Sequence, residues 1–253
     1  TMAEAVAALR AGEIHFTYAE PDDALTLEKE EGFTVIPGDS YVLNYIGFNH
    51  RTDLWKDVRV RQAVMYAIDR DTIIETLYNG AAKKAQCNYV APQYVPDDLI
   101  DYTYDPEKAR SLLAEAGWEE INGSRELPWL TYYNSPQVAN IMAAIQSMLA
   151  QVGINVVPRV VDVPTYNGIV RGDDVSQFPL VYAGAGNGPN PAQHNITLHS
   201  EQVPPNGNNI MHVNLPELDA ALEAAMSEAD QSKVDARWQE VCRIVNAQAL
   251  WGT

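Results

Sequence analysis

Residues 127–184 read LPWLTYYNSPQVANIMAAIQSMLAQVGINVVPRVVDVPTYNGIVRGDDVSQFPLVYAG, and the alternation of patterns along them decides the fold. "LPWLTYY" reads as a strand, being rich in aromatic and β-prone residues. "SPQVANIMAAIQSMLAQVG" opens on Ser135-Pro136, places apolar residues three and four apart, and stops at Gly153. That is an amphipathic helix with its start and stop signals in place. "INVVPRVVD" is a strand again, "VPTYNGIVRGD" a short helix, and "FPLVYAG" a buried strand. A βαβαβ alternation of this kind predicts an α/β fold with a mixed, largely parallel sheet flanked by helices.

The same reading extends in both directions. Toward the N-terminus, "SYVLNYIGFN" (40–49) is a long β-prone run, and "DVRVRQAVMYAIDRD" (57–71) is a helix with Asp57 as its N-cap. Arg59, Arg61 and Arg70 are expected to keep their charged heads solvated or paired. "TIIETLYNG" forms a further helix closed by Gly80. "YDPEKARSLLAEAGW" is a helix with Asp105 at the N-cap, Pro106 at the first helical position and Gly117 past the end. Residues 4–11 and the "PDDALTLEKEEG" segment read as helices, and residues 14–18 and 33–36 as strands. Toward the C-terminus, "LPELDAALEAAMSEAD" and "SKVDARWQEVCRIVNAQAL" are two closing helices. Trp118 and Trp129 are assigned to the core, and Trp55, just before the 57–71 helix, to staple-type packing at its start. The first and last residues read as cuts through a longer chain.

The 253 residues carry 34 acidic and 17 basic side chains, a formal net charge of −17. Such a surface repels phosphate backbones and anionic lipid, which argues against nucleic-acid binding and membrane docking. No apolar run approaches the ~18 residues of a membrane span. Cys87 and Cys242 lack metal-motif spacing. They are compatible with one bridge or with two buried thiols, and unpaired thiols are the expectation.

Chemistry-bearing motifs are few. There is no nucleophile elbow, Walker loop or HExxH pattern. "GAGNG" (184–188) lacks the spacing of a dinucleotide cradle, and prolines rather than a helix follow it. His194, His199 and His212 stand at intervals that match no common metal pattern, so neither metal nor cofactor is expected. A carboxylate pair for hydrolysis would have to come from Asp162 with Asp173 or Asp174. The glycine- and asparagine-rich loop after "FPLVYAG" sits at the C-terminal end of a strand, where open α/β sheets bind ligands. Its glycines let backbone approach a ligand, and Asn187 and Asn190 supply donors and acceptors.

"YIGFN", "DVRVRQAVMYAIDRDTII…LYNG", "YDPEKARSLLAEAGW" and "VGINV…RVVDVPTY", in that order, resemble the solute-binding proteins of peptide/nickel-type ABC transporters, extracellular solute-binding family 5. The resemblance runs from about residue 8 to 249. It implies one lobe of a type II periplasmic-binding-protein-like fold. Residues 1–47 would be a partial first-lobe segment with the hinge crossing, and residues 48–253 the second lobe. It implies a periplasmic or cell-surface receptor without catalytic activity. That receptor would be a monomer that traps an oligopeptide in an interlobe cleft and delivers it to ABC permease subunits. In the peptide-binding relatives the loop resembles a Gly-Ala-Asp-Tyr-Pro-Asp-Pro pattern, whose first Asp pairs with the ligand's α-amino group; here that position is Asn187. The dipeptide-binding relatives carry an arginine for the ligand carboxylate near the position of "YYNSP", and here Tyr132, Tyr133 and Asn134 stand instead. Both departures suit a longer peptide held by its backbone, or alternatively a neutral oligosaccharide. The ligand-binding residues expected on this reading are Tyr132, Tyr133, Asn134, Tyr182, Asn187, Asn190 and His194.

Overall fold

Four short polar side chains start helices where the sequence places them. Asp57 accepts the Arg59 N–H at 2.8 Å, Asp105 the Lys108 N–H at 2.9 Å, Ser135 the Val138 N–H at 3.3 Å and Asp162 the Thr165 N–H at 2.7 Å. Each satisfies a donor that the first helical turn leaves open, worth about 1 kcal/mol apiece. The computed structural model describes residues 2–38, 42–89, 91–186 and 188–252. In chain order the elements begin with α1 (Met2–Arg10), α2 (Pro21–Leu27), β1 (Val42–Phe48), α3 (Val58–Ala67), α4 (Arg70–Leu77), α5 (Pro106–Glu115) and α6 (Trp118–Asn122). They continue with β2 (Leu127–Thr131), α7 (Pro136–Gln151), β3 (Val156–Val160), α8 (Val163–Val170), β4 (Leu180–Gly186), α9 (Asn195–Leu198), α10 (Pro216–Ser227), α11 (Gln231–Ala247) and β5 (Trp251–Gly252).

The chain divides into two compact units, Thr1–Ser40 with Asp71–Lys83, and Tyr41–Arg70 with Lys84–Thr253. In the first unit Arg10 grips Glu30 at 2.7 Å and Asn79 Nδ2 donates to Asp22 Oδ1 at 2.6 Å. Residues 14–18 and 33–36 form no strand, which corrects the sequence expectation. Alternation marks a segment that can join a ladder, but a strand exists only where a second strand takes its backbone groups. None of the described residues does so here. Phe16, Tyr18 and Ile36 are accordingly 73%, 78% and 82% exposed.

The second unit is built on one sheet of order β3-β2-β4-β1-β5. β2 runs parallel to β3, from Leu127↔Val156 to Thr131↔Val160, and parallel to β4 at Trp129↔Leu180. β1 is antiparallel to β4, from Val42↔Gly186 to Phe48↔Leu180, and antiparallel to the two-residue β5. The sheet is therefore mixed, parallel in the half that the βαβαβ pattern generates and antiparallel in the half closed by β1. Trp55, Trp129, Phe48 and Phe178 are fully buried, and the rings of Trp55 and Trp118 lie 5.8 Å apart in the core. α3 packs against α5, and α10 against α11.

Three side chains depart from expectation. Cys87 and Cys242 form a disulfide, Cα–Cα 5.5 Å, that ties the segment before Asn88 to α11. The two thiols could not be judged from spacing because 155 residues separate them. Arg61 is buried. It donates to the backbone carbonyls of Trp55, of Lys56 at 3.2 Å and of Gln248 at 2.9 Å, rather than facing solvent or a carboxylate. Burial pulls its guanidinium down to about 10, so it stays charged at neutral pH. Arg59 does pair, with Asp57.

Candidate functional site

The C-terminal end of β4 opens into a cleft of about 230 Å³. Gly184, Ala185 and Gly186 form one wall, Tyr45 of β1 and Trp251 of β5 another. Thr197 of α9 and the 208–211 segment complete it. Register explains the aromatic wall: β1 pairs with both β4 and β5, and the Tyr45 and Trp251 rings stack at 4.3 Å and 14°. Their contact is worth ~1 kcal/mol beyond area burial. The glycine-rich strand end is where the sequence places a ligand. Tyr45 and Trp251 escaped notice because only the β1–β5 pairing brings positions so distant in sequence together.

A tyrosine cluster lies behind Gly184. Tyr132 meets Tyr133 at 4.6 Å and Tyr166 at 4.9 Å, and Tyr133 meets Tyr182 at 6.0 Å. Tyr132 packs against the hydrophobic core, and Tyr182 is buried beside Trp129. Tyr166 Oη is buried with no hydrogen-bond partner. Burial raises the Tyr45 and Tyr166 phenols, so both remain neutral donors. Of the other sequence-predicted residues, Asn134 is exposed. Asn190 is exposed and spends its side chain on the Ala192 N–H at 3.0 Å. His194 is buried, its ring 4.9 Å from Tyr89 and 6.2 Å from Trp251, and burial drops it to about 4. Asn187 lies outside the described residues. Tyr132, Tyr133 and Tyr182 thus form ring contacts with one another and His194 with Trp251, but none of these four is among the residues lining the cleft. Asn134 and Asn190 do not line it.

Gly184 is required by this packing. A Cβ there would fall inside contact distance of Tyr133 Oη, with Tyr133 Cζ at 3.3 Å. Gly184→Ala is expected to destabilise the protein by about 1–3 kcal/mol through overpacking. Tyr133→Phe should recover most of that in the double variant, because it removes the clashing oxygen. Chemical denaturation of the four proteins checks this; equal losses in the single and double variants would refute the packing argument.

Two of the three carboxylates considered for hydrolysis have structural partners. Asp162 caps α8, and Asp174 accepts the Ser176 N–H at 3.1 Å. Among the described residues no three His, Cys, Asp or Glu side chains are grouped to hold a metal ion. No described helix is long and apolar enough to cross a membrane.

Comparison with known proteins fits this architecture. The profile of the bacterial extracellular solute-binding proteins, family 5 Middle, matches residues 2–203. A Brucella ovis protein provisionally named as an ABC transporter peptide-binding protein is 56% identical, over 99% of this chain and 48% of its own length. The oligopeptide-binding protein AppA of Bacillus subtilis is 27% identical, over 94% of this chain and 45% of its own length. The solved structure of AppA with a nonapeptide matches 99% of this chain and 52% of that one, with a TM-score of 0.87 at 24% identity. NikZ of Campylobacter jejuni with Ni(L-His) gives 0.83 at 21% identity, over 98% of this chain and 52% of that one, a likeness of fold alone. The chain spans about half the length of the curated relatives it matches. Its mixed sheet, its element order and the profile match over most of its length agree: the chain belongs to the bacterial extracellular solute-binding proteins, family 5.

Proposed function

We propose that this chain is part of the substrate-binding component of an ABC importer, and that its ligand is an oligopeptide. The observation that carries the reading is the open end of β4. There the backbone of Gly184, Ala185 and Gly186 borders a cleft beside the stacked Tyr45 and Trp251. Glycine-lined backbone can exchange hydrogen bonds with the amides of an extended peptide, and the aromatic pair gives its side chains an apolar surface. The peptide-binding names of the relatives support the same ligand class.

On this reading residues 1–47 contribute to the first lobe and the crossing, and residues 48–253 form the second lobe. Ligand contacts both lobes only when they close, so binding shifts the open–closed population. The receptor works as a monomer outside the cytoplasm, hands ligand to permease subunits and performs no chemistry of its own. The Cys87–Cys242 bridge supports an oxidising compartment. The cleft's uncharged lining also suits a neutral oligosaccharide, which is the second reading.

A thermal-shift screen of the full-length protein separates the two, using di- to nonapeptides, neutral oligosaccharides and Ni²⁺. A ligand at 100 times its Kd adds about 2.7 kcal/mol, a readily visible rise in midpoint. Shifts with peptides are expected; shifts with sugars and none with peptides would overturn the proposal. Trp251→Ala is expected to weaken peptide binding at least tenfold, about 1.4 kcal/mol, by removing one face of the aromatic wall. Unchanged calorimetric affinity in a folded Trp251→Ala protein would place the ligand elsewhere.

A further inference from the structure

Residues 178–216 contain a single charged side chain, Glu201, in a chain where charged residues make up 20%. This stretch builds β4, its glycine end, α9 and the 208–211 segment, which is the whole cleft lining apart from Tyr45 and Trp251. The charge-poor region of a strongly acidic protein thus coincides with its cleft. Arg171 is committed to the rim: it donates to Gly207 O at 3.3 Å and to Asn208 Oδ1 at 2.9 Å. The polar groups along the cleft are neutral ones: the Tyr45 hydroxyl, the Thr197 hydroxyl, which donates to His194 O at 2.9 Å, the Asn208 amide, whose oxygen accepts from Arg171, and the backbone of Gly184–Gly186.

A terminal ammonium or carboxylate enclosed against such a wall would be desolvated without a counter-charge, which is costly. The neutral amides of a peptide's interior lose far less and find partners in these same groups. We propose that this chain's wall of the ligand site takes an uncharged, interior stretch of the peptide and holds neither of its charged ends. The proposal rests on the peptide reading above, and it assigns recognition of the termini, where there is any, to residues outside this cleft.

The test inserts a charge into the cleft and asks whether the ligand's ends sense it. Thr197→Asp, Thr197→Lys and the neutral control Thr197→Gln are prepared in the full-length protein. Calorimetry then gives Kd for the tightest-binding neutral hexapeptide with free ends, N-acetylated, and C-amidated. A new unit charge about 5 Å from a terminal charge would change the blocked-to-free affinity ratio tenfold or more. Beyond a Debye length of ~8 Å the effect fades. The expected result is a ratio that stays within twofold across wild type and all three variants, even where absolute affinity drops. A fivefold or larger change in the acetylation ratio with aspartate, or in the amidation ratio with lysine, would overturn the inference and leave peptide binding standing. Absence of binding by any form of the peptide to wild-type protein would overturn both. Should the Thr197 variants fail to melt cooperatively, Asn208→Asp and Asn208→Lys repeat the measurement from the exposed rim with the same outcomes.

Discussion

Removing the Cys87–Cys242 bridge is expected to cost the full-length protein several kilocalories. The bridge closes a loop of 155 residues. In the chain-entropy account a loop of that size restricts the unfolded state by about 5 kcal/mol, and losses of 2–5 kcal/mol are usual when native bridges go. At roughly 2–4 °C per kcal/mol for a unit of this size, the midpoint should fall by about 5–20 °C. Both sulfurs are buried, so alanine is the substitution of choice: a serine hydroxyl would add an unpaired polar group. Cys87→Ala, Cys242→Ala and the double variant should behave alike, since each breaks the same covalent link. The loss should extend to function. Asn88 and Tyr89 follow Cys87 directly, and Tyr89 meets His194 at 4.9 Å and Trp238 of α11 at 6.1 Å. His194 in turn lies behind Trp251, the aromatic wall of the cleft. Scanning calorimetry of the oxidised, reduced and alanine proteins decides the matter. A double variant melting within a degree or two of wild type would mean that the bridge is incidental to stability.

What the sequence made legible was local. Asp57, Asp105 and Ser135 announce their helices because a cap and the turn it serves lie within three residues of each other. The βαβαβ order was readable because each of its elements spans enough residues to show a period. Two-residue β5 shows none, and without it neither the sheet edge nor the Tyr45–Trp251 stack can be inferred. Residues 14–18 failed in the opposite sense: their alternation is real, but strand formation depends on a partner that local pattern does not contain. Arg61 failed for a third reason. An arginine beside a valine on an amphipathic helix is ordinarily a solvated head, and the carbonyls of Trp55, Lys56 and Gln248 make burial tolerable. The candidate site divides along the same line. The glycine-rich strand end was visible as a loop signal, whereas its aromatic wall is a product of tertiary register.

Acid should destabilise this protein well before its carboxylates protonate. Burial holds His194 near 4 and His50 near 3 in the folded state, against 6.5 for an exposed imidazole, and for His50 the guanidinium of Arg61 adds to the effect. His194 is enclosed by the rings of Tyr89 and Trp251, and His50 Nε2 is buried without a hydrogen-bond partner. Above pH 6.5 both imidazoles are neutral whether the chain is folded or not, and the stability they permit is fully present. Below it the unfolded chain takes up protons that the folded one refuses, so stability falls as pH falls, down to about 4 for His194 and about 3 for His50. At about 1.4 kcal/mol per pKa unit, the two together are worth several kcal/mol over that window. The carboxylates with depressed values, such as Asp57, Asp162 and Asp230, lose their contribution only once the unfolded chain's acids begin to protonate, near pH 4. The interval from pH 7 to 5 therefore isolates the histidines. Urea midpoints across that interval should drop steadily in the wild-type protein and become markedly shallower in a His50→Gln/His194→Gln variant, whose amides do not titrate, with His212, also lowered by burial, supplying the remainder. An equal slope in the two proteins would assign the acid sensitivity to other groups. A shallower one would assign the loss to the two buried imidazoles, His50 and the His194 ring packed 6.2 Å from Trp251.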